Sequence, residues 1–241
     1  MLAISLPSPT IAQLDRPVWT ALTTHHAGLA EGDGLARRLS SEIGPFAGAA
    51  DETPESLAAL AQLVARSRTH VALMQGPEIM IPPAIRATLT ATGVQMVAEA
   101  PIVAPDPLGI VRLGPEDAPD MLALATLTKP GPFALRTLEL GAYWGIRSAG
   151  RLVAMAGERM KQPGFTEISA VCVLPDQRGK GHAARLCTHA AAVIQARDEI
   201  PYLHAFSDNT AAIGLYERLG FRHRRTVHVA MLEAEGAAVS P

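Results

Sequence analysis

The chain has 241 residues, 21 basic and 23 acidic, a formal net charge of -2, and 48% hydrophobic against 18% charged side chains. This is the balance of a folded globular protein; it excludes a disordered chain and gives no global positive field to draw nucleic acid or an anionic membrane. Cys172 and Cys187 are too few for a disulfide framework and fit a reducing compartment, the cytoplasm being the simplest address.

The apolar start, Met1 to Leu6, has no basic flank and is interrupted by Pro7 and Pro9, so it makes a poor signal peptide. No apolar run approaches the roughly 18 residues of a membrane helix. Neither export nor membrane insertion is expected.

The first hundred residues alternate helical and strand-like signals: Ser56 to Ala65 is rich in Ala and Leu, and Thr69 to Met74 and Gly93 to Ala98 are short apolar runs. They read as a small α/β domain over residues 1–108. Its acidic residues Glu31 and Asp33, with Trp19, His25 and His26, read as ordinary surface of an accessory unit rather than as an acceptor pocket. Ala104-Pro105-Asp106-Pro107 is the best linker candidate, which leaves residues 109–241 for a second domain.

In that second part Ile110 to Leu113 predicts a strand, and Pro115 to Thr126 a helix with Glu116 and Asp117 in its first turn. A short helix over Leu135 to Leu140 follows. Ala142 to Ile146 and Leu152 to Gly157 flank a hairpin loop at Ser148-Ala149-Gly150, and Glu167 to Leu174 is a further strand.

Beyond Gly181 the period changes. Ala183, Leu186, Ala190, Val193 and Ile194 make a helical stripe, Tyr202 to Phe206 a strand, Thr210 to Leu219 a helix closed by Gly220, and Thr226 to Leu232 a last alternating strand. Arg222, Arg224 and Arg225 are the one tight basic cluster and read as a solvated face.

The strand, glycine turn and helix between Glu167 and Ala196 form an anion-binding device, since free N–H groups at a helix start favour phosphate oxygens. The turn Arg178-Gly179-Lys180-Gly181-His182-Ala183 has neither the Gly-Lys-Ser/Thr of a P-loop nor the glycine spacing of a dinucleotide fingerprint. Those two nucleotide readings drop out. Arg178, Gly181 and Ala183 instead match Arg/Gln-x-x-Gly-x-Gly/Ala, preceded by Glu167-Ile-Ser-Ala-Val-Cys-Val-Leu-Pro and followed by Asn209-Thr-Ala-Ala-Ile-Gly-Leu-Tyr-Glu-Arg-Leu-Gly-Phe221.

In that order and spacing, the three motifs resemble the GCN5-related N-acetyltransferase (GNAT) superfamily, in its FR47-like branch, over about residues 110 to 232. The resemblance implies an α/β fold with a mixed, mostly antiparallel sheet flanked by helices, and acetyl-CoA as cofactor. It also implies that Val171 and Val173 bind the pantetheine arm by their main chain. Arg178, Gly179, Lys180, Gly181, His182, Ala183 and Ala184 cradle the pyrophosphate, where the Arg178 and Lys180 side chains face either phosphate or solvent.

Such a transfer needs a neutral amine, a stabilised oxyanion and a proton for the departing thiolate. By the resemblance Tyr216 is the acid, the Val173 N–H the oxyanion donor, and Glu167 the base acting through water; the alternatives are a packed Tyr beside Phe221 and a structural Glu. Asn209 is both a good N-cap and a cofactor contact by the resemblance, and Asp208 is a second capping candidate. His182, His189 and His204 have no metal-ligand spacing, and Cys172 reads as apolar filler rather than nucleophile.

The expected activity is acetyl transfer to a small amine, an amino acid or a peptide N-terminus by direct attack in a ternary complex. The alternative is a non-catalytic acyl-CoA-binding regulatory module. The resemblance implies that loops such as Thr128 to Leu135 set the acceptor, and nothing in the sequence sets an oligomeric state.

Overall fold

The computed structural model describes residues 10–67 and 69–236; the apolar start at Met1 to Leu6 lies outside them. Helix α1 (Pro17–Thr23) opens on a proline, whose missing N–H is no loss in a first turn. Strands β1 (Ala30–Gly32), β2 (Ala36–Leu39) and β3 (Ala47–Ala49) make a small antiparallel sheet. Helix α2 (Pro54–Arg66) is capped by the Thr53 side chain, which accepts from Ser56 N.

Next come β4 (Val71–Gln75), β5 (Ile85–Val97), β6 (Ile110–Leu113), α3 (Ala118–Thr128), β7 (Tyr143–Ser148), β8 (Arg151–Gln162) and β9 (Phe165–Val173). Helix α4 (His182–Gln195), β10 (Ile200–Phe206), α5 (Thr210–Arg218) and β11 (Arg222–Ala234) complete the chain.

The main sheet has eight strands in the order β4-β11-β5-β10-β9-β8-β7-β6, antiparallel throughout except for β10 on β9. The expected mixed, mostly antiparallel sheet flanked by helices is present. Ladders also span the division expected at residue 108: β5 pairs with both β10 and β11, and β4 with β11.

On one face α3 and α4 cover the sheet, with Leu186, Ala190 and Ile194 in one core with Met155, Ile168 and Leu203. On the other, the α1 region brings Leu14, Val18 and Leu22 onto Val97, Tyr202 and Val227. Helix α2 closes the far end over β4 and β11 through Leu60, Val64 and Leu232. Each leucine so buried contributes roughly 2 kcal/mol.

Several elements outrun their sequence signals. Strand β5 begins at Ile85 rather than Gly93, because its outward Thr88, Thr90 and Thr92 hide an alternation that pairing with β11 completes. The short helix expected from Leu135 is a 3-10 turn, Thr137–Leu140, and Pro115–Asp117 is a 3-10 turn leading into α3.

The basic cluster lies within β11 and is only partly a solvated face. Arg224 donates to Gln95 Oε1 at 2.7 Å and to Asp15 Oδ1 at 2.6 Å, and Arg225 reaches the same carboxylate at 2.6 Å. These bonds tie the start of the described chain to its last strand.

Candidate active site

Strands β9 and β10 run parallel only from Phe165 opposite Ile200 to Ile168 opposite Leu203, and then part. Beyond that point β10 pairs with β5 and β9 with β8, so among the described residues the β9 edge holding Val171 and Val173 meets no strand on its β10 side. The parting coincides with a bulge. Between Met155 opposite Cys172 and Gly157 opposite Ser169, β9 carries one residue more than β8, and Ala170 takes a φ of 53°, a left-handed backbone rare for a residue with a Cβ.

The chain leaves β9 through a 3-10 turn, Pro175–Gln177, and enters α4 at Gly181. Gly179 and Gly181 both have φ of 77°, a conformation nearly free of cost only for glycine, and nothing stands within 4 Å of where a side chain would begin. The first ladder bond of α4 is Arg185 N to Gly181 O at 3.0 Å, so the N–H groups of His182, Ala183 and Ala184 precede the ladder and point outward. His182 Nδ1 is buried with no partner beside them.

Lys180 is exposed and bonds only Gln177, while Arg185 anchors the linker by donating to the carbonyls of Asp106 and Leu108. Open strand edge and helix start lie on one continuous path. Together they fit a long, extended ligand with an anionic end, as acetyl-CoA is.

Between the parted strands lies a cavity of about 350 Å³ bounded by β9 from Glu167 to Val171, by His204 to Phe206 of β10, and by Asn209, Ala212 and Tyr216 of the α5 region. Tyr216 is 7% exposed and its ring meets Phe221 edge-on at 6.2 Å. Burial, with Cys187 adding to it, pushes its phenol above the ordinary value, so the hydroxyl stays protonated. Asn209 caps α5 by accepting from Ala212 N at 3.2 Å; Asp208 offers its carbonyl to Thr210 N instead.

Glu167 lies at the cavity floor and is wholly buried. Arg159 donates to it through Nε at 2.8 Å and Nη2 at 2.6 Å, and His204 Nδ1 sits 2.7 Å from Oε1. Burial alone would raise the carboxyl pKa; the Arg159 charge and the hydrogen bonds from Arg159 and His204 outweigh it and hold the group well below the usual carboxylate range. The base role expected of Glu167 therefore meets a carboxylate already committed to a cation.

The network continues outward. Gln95 Oε1 accepts from Arg224, which orients the amide so that its Nε2 donates to Leu14 O at 2.8 Å and to His204 Nε2 at 3.0 Å. The His204 ring accordingly carries its proton on Nδ1, toward Glu167.

Arg159 was not singled out in the sequence, and His204 was weighed there only as a metal ligand. Strand β8 looked finished at Gly157 because charged Glu158, Arg159 and Lys161 follow it, yet it runs on to Gln162 with Arg159 buried. The loop expected to set the acceptor contributes Lys129 to Pro132 to the cavity wall. Burial lifts the Cys172 thiol to about 11, leaving little thiolate at neutral pH.

None of Trp19, His25, His26, Glu31 and Asp33 is among the residues that line this cavity. His26 Nε2 bonds Arg159 O at 2.7 Å, Glu31 pairs with Arg38, and Asp33 accepts from Leu35 N in a turn. Among the described residues no helix is long and apolar enough to cross a membrane.

The chain matches the family described as FR47-like protein over residues 143–229. Its fold is similar to that of a protein from Novosphingobium aromaticivorans assigned to the GNAT acetyltransferases, at 43% identity, TM-score 0.86, covering 92% of this chain and 98% of that one. A GCN5-related N-acetyltransferase from Kribbella flavida shares the fold at 18% identity and TM-score 0.64, over 92% of this chain and 96% of that one. A GCN5-related N-acetyltransferase-like protein from Streptococcus suis does so at 14% identity and TM-score 0.56, over 92% and 96%. No curated protein matches. By the first of these similarities, over nearly the whole of both chains, this protein belongs to the GNAT family of acetyltransferases.

Proposed function

We propose that the protein transfers an acetyl group from acetyl-CoA to a primary amine by direct attack in a ternary complex. The observation that carries this reading is the parting of β9 from β10 beyond Ile168, with Tyr216 facing the gap and the α4 start at its far end. When bound, acetyl-CoA supplies the thioester as acyl donor.

On this reading the main chain of Val171 and Val173 holds the pantetheine arm as a neighbouring strand would. The backbone of residues 178–184 receives the pyrophosphate, with Arg178 and Lys180 adding charge at the rim, and Asn209 both caps α5 and lines the arm. The Val173 N–H is the donor toward the carbonyl oxygen. Tyr216 Oη holds the proton that the departing thiolate takes.

Glu167 is given a positioning and electrostatic role. A carboxylate pressed so far below its ordinary range is a weak proton acceptor, so the amine sheds its proton to water before attack. The same observation favours the second reading, a non-catalytic acyl-CoA-binding module, because among the described residues no free carboxylate faces the gap. The two free, buried cysteines support a reducing compartment, the cytoplasm.

Calorimetric titration with acetyl-CoA, followed by free-thiol release across an amine panel, separates the readings. Binding with turnover on at least one amine is expected. Tight binding without turnover on any amine selects the module.

A further inference from the structure

Resting on the acetyl-transfer reading, we infer that the acceptor is a small primary amine with an apolar alkyl or aryl body, and that a wall built jointly by the segment before residue 108 and by β10 and β11 selects it. The cavity has two halves of different character. Its β9 and α5 side presents backbone, Ser169, Asn209 and Tyr216. Its opposite side is made by Phe46, Met74, Leu89, Phe206, Val229 and Met231, none of which carries a hydrogen-bonding side chain.

At the mouth Leu89 is 48% and Phe206 50% exposed, a cost in water that an apolar ligand body would relieve.

Charge points the same way. Among the described residues the one carboxylate lining the cavity is Glu167, bidentate to Arg159 and bonded to His204, and the Arg159 guanidinium is further covered by the Phe46 ring at 4.5 Å. A polyamine or amino sugar would bring a second ammonium or several hydroxyls into this half with nothing free to receive them. Among the described lining residues, Arg159 and His204 are taken by Glu167, which leaves an amino acid Lys129, at the rim, for its carboxylate. The volume of about 350 Å³ is at the small end for a ligand site and is shared with the acyl end of the donor, so a compact body fits and a peptide chain does not.

The test measures kcat/KM of the full chain, with saturating acetyl-CoA, for hexylamine, phenethylamine, ethanolamine, putrescine, spermidine, glycine and a short peptide with a free N-terminus. Hexylamine and phenethylamine should exceed every polar or charged acceptor by about tenfold or more. Leu89→Ser, at a half-exposed position that tolerates a polar group, should raise KM for hexylamine about tenfold and leave acetyl-CoA affinity unchanged. Met231→Gln should do the same from the other side of the wall.

A preference for spermidine, glycine or the peptide overturns the inference while leaving acetyl transfer standing. So does an unchanged ratio of hexylamine to ethanolamine in both variants. Acetyl-CoA binding with no turnover on any amine removes the reading beneath it, and this inference with it.

Discussion

Arg159 and Glu167 face each other across the β8–β9 ladder and share two hydrogen bonds, Nε to Oε2 at 2.8 Å and Nη2 to Oε1 at 2.6 Å, with the carboxylate wholly buried. A pair like this is costly to break, because the partner left behind keeps its charge in a place water does not reach.

Glu167→Gln should therefore lower stability at neutral pH by roughly 3–5 kcal/mol. It should also flatten the acid limb. In the parent the folded carboxyl stays ionised while the unfolded one takes a proton below its ordinary 4.5, so the stabilisation is whole above that value and drains away as pH falls. Urea titrations at neutral pH and at about pH 3 to 5 measure both effects; identical acid limbs in parent and variant would show that the pair does not govern them.

Tyr216→Phe keeps the ring against Phe221 and deletes the hydroxyl at the gap. The kcat should fall roughly 100- to 10,000-fold with acetyl-CoA affinity and melting temperature nearly unchanged. Turnover within about threefold of the parent, with chemistry limiting the rate, would make the phenol structural.

Gly181→Pro should abolish CoA binding, since a proline cannot adopt the φ of 77° found there and forces the α4 entrance to move. Lys180→Ala loses only a bond to Gln177 on an exposed turn and should weaken binding slightly. Calorimetry with CoA distinguishes them, and parent-like binding by both variants would remove the cradle assignment.

The pH profile of kcat/KM tests the role given to Glu167. If, as proposed, no carboxylate among the described lining residues acts as base, the rate should climb about tenfold per pH unit toward the acceptor's own pKa, about 10 for an alkyl amine. A plateau beginning near neutral pH would reveal an enzyme base that this geometry does not provide.

What the sequence determined by itself was the local chemistry of the side proposed to hold the cofactor. The glycines of the Arg178 to Ala183 turn, the stripe through Leu186, Ala190 and Ile194, and the capping Asn209 before Tyr216 are short-range signals, because helix starts and turns are decided within a few residues. Their order along the chain was enough for the family.

Tertiary structure alone assembled the wall proposed for the acceptor. Leu89, Met74 and Val229 come from separate strands that the β4-β11-β5 ladders align, and Phe46 joins them from a loop through its bridge to Ala72 of β4. The same holds for Glu167, Arg159 and His204. Their sequence separations carry no motif, and a charged residue in a strand reads as exposed until a partner from another strand neutralises it within the core.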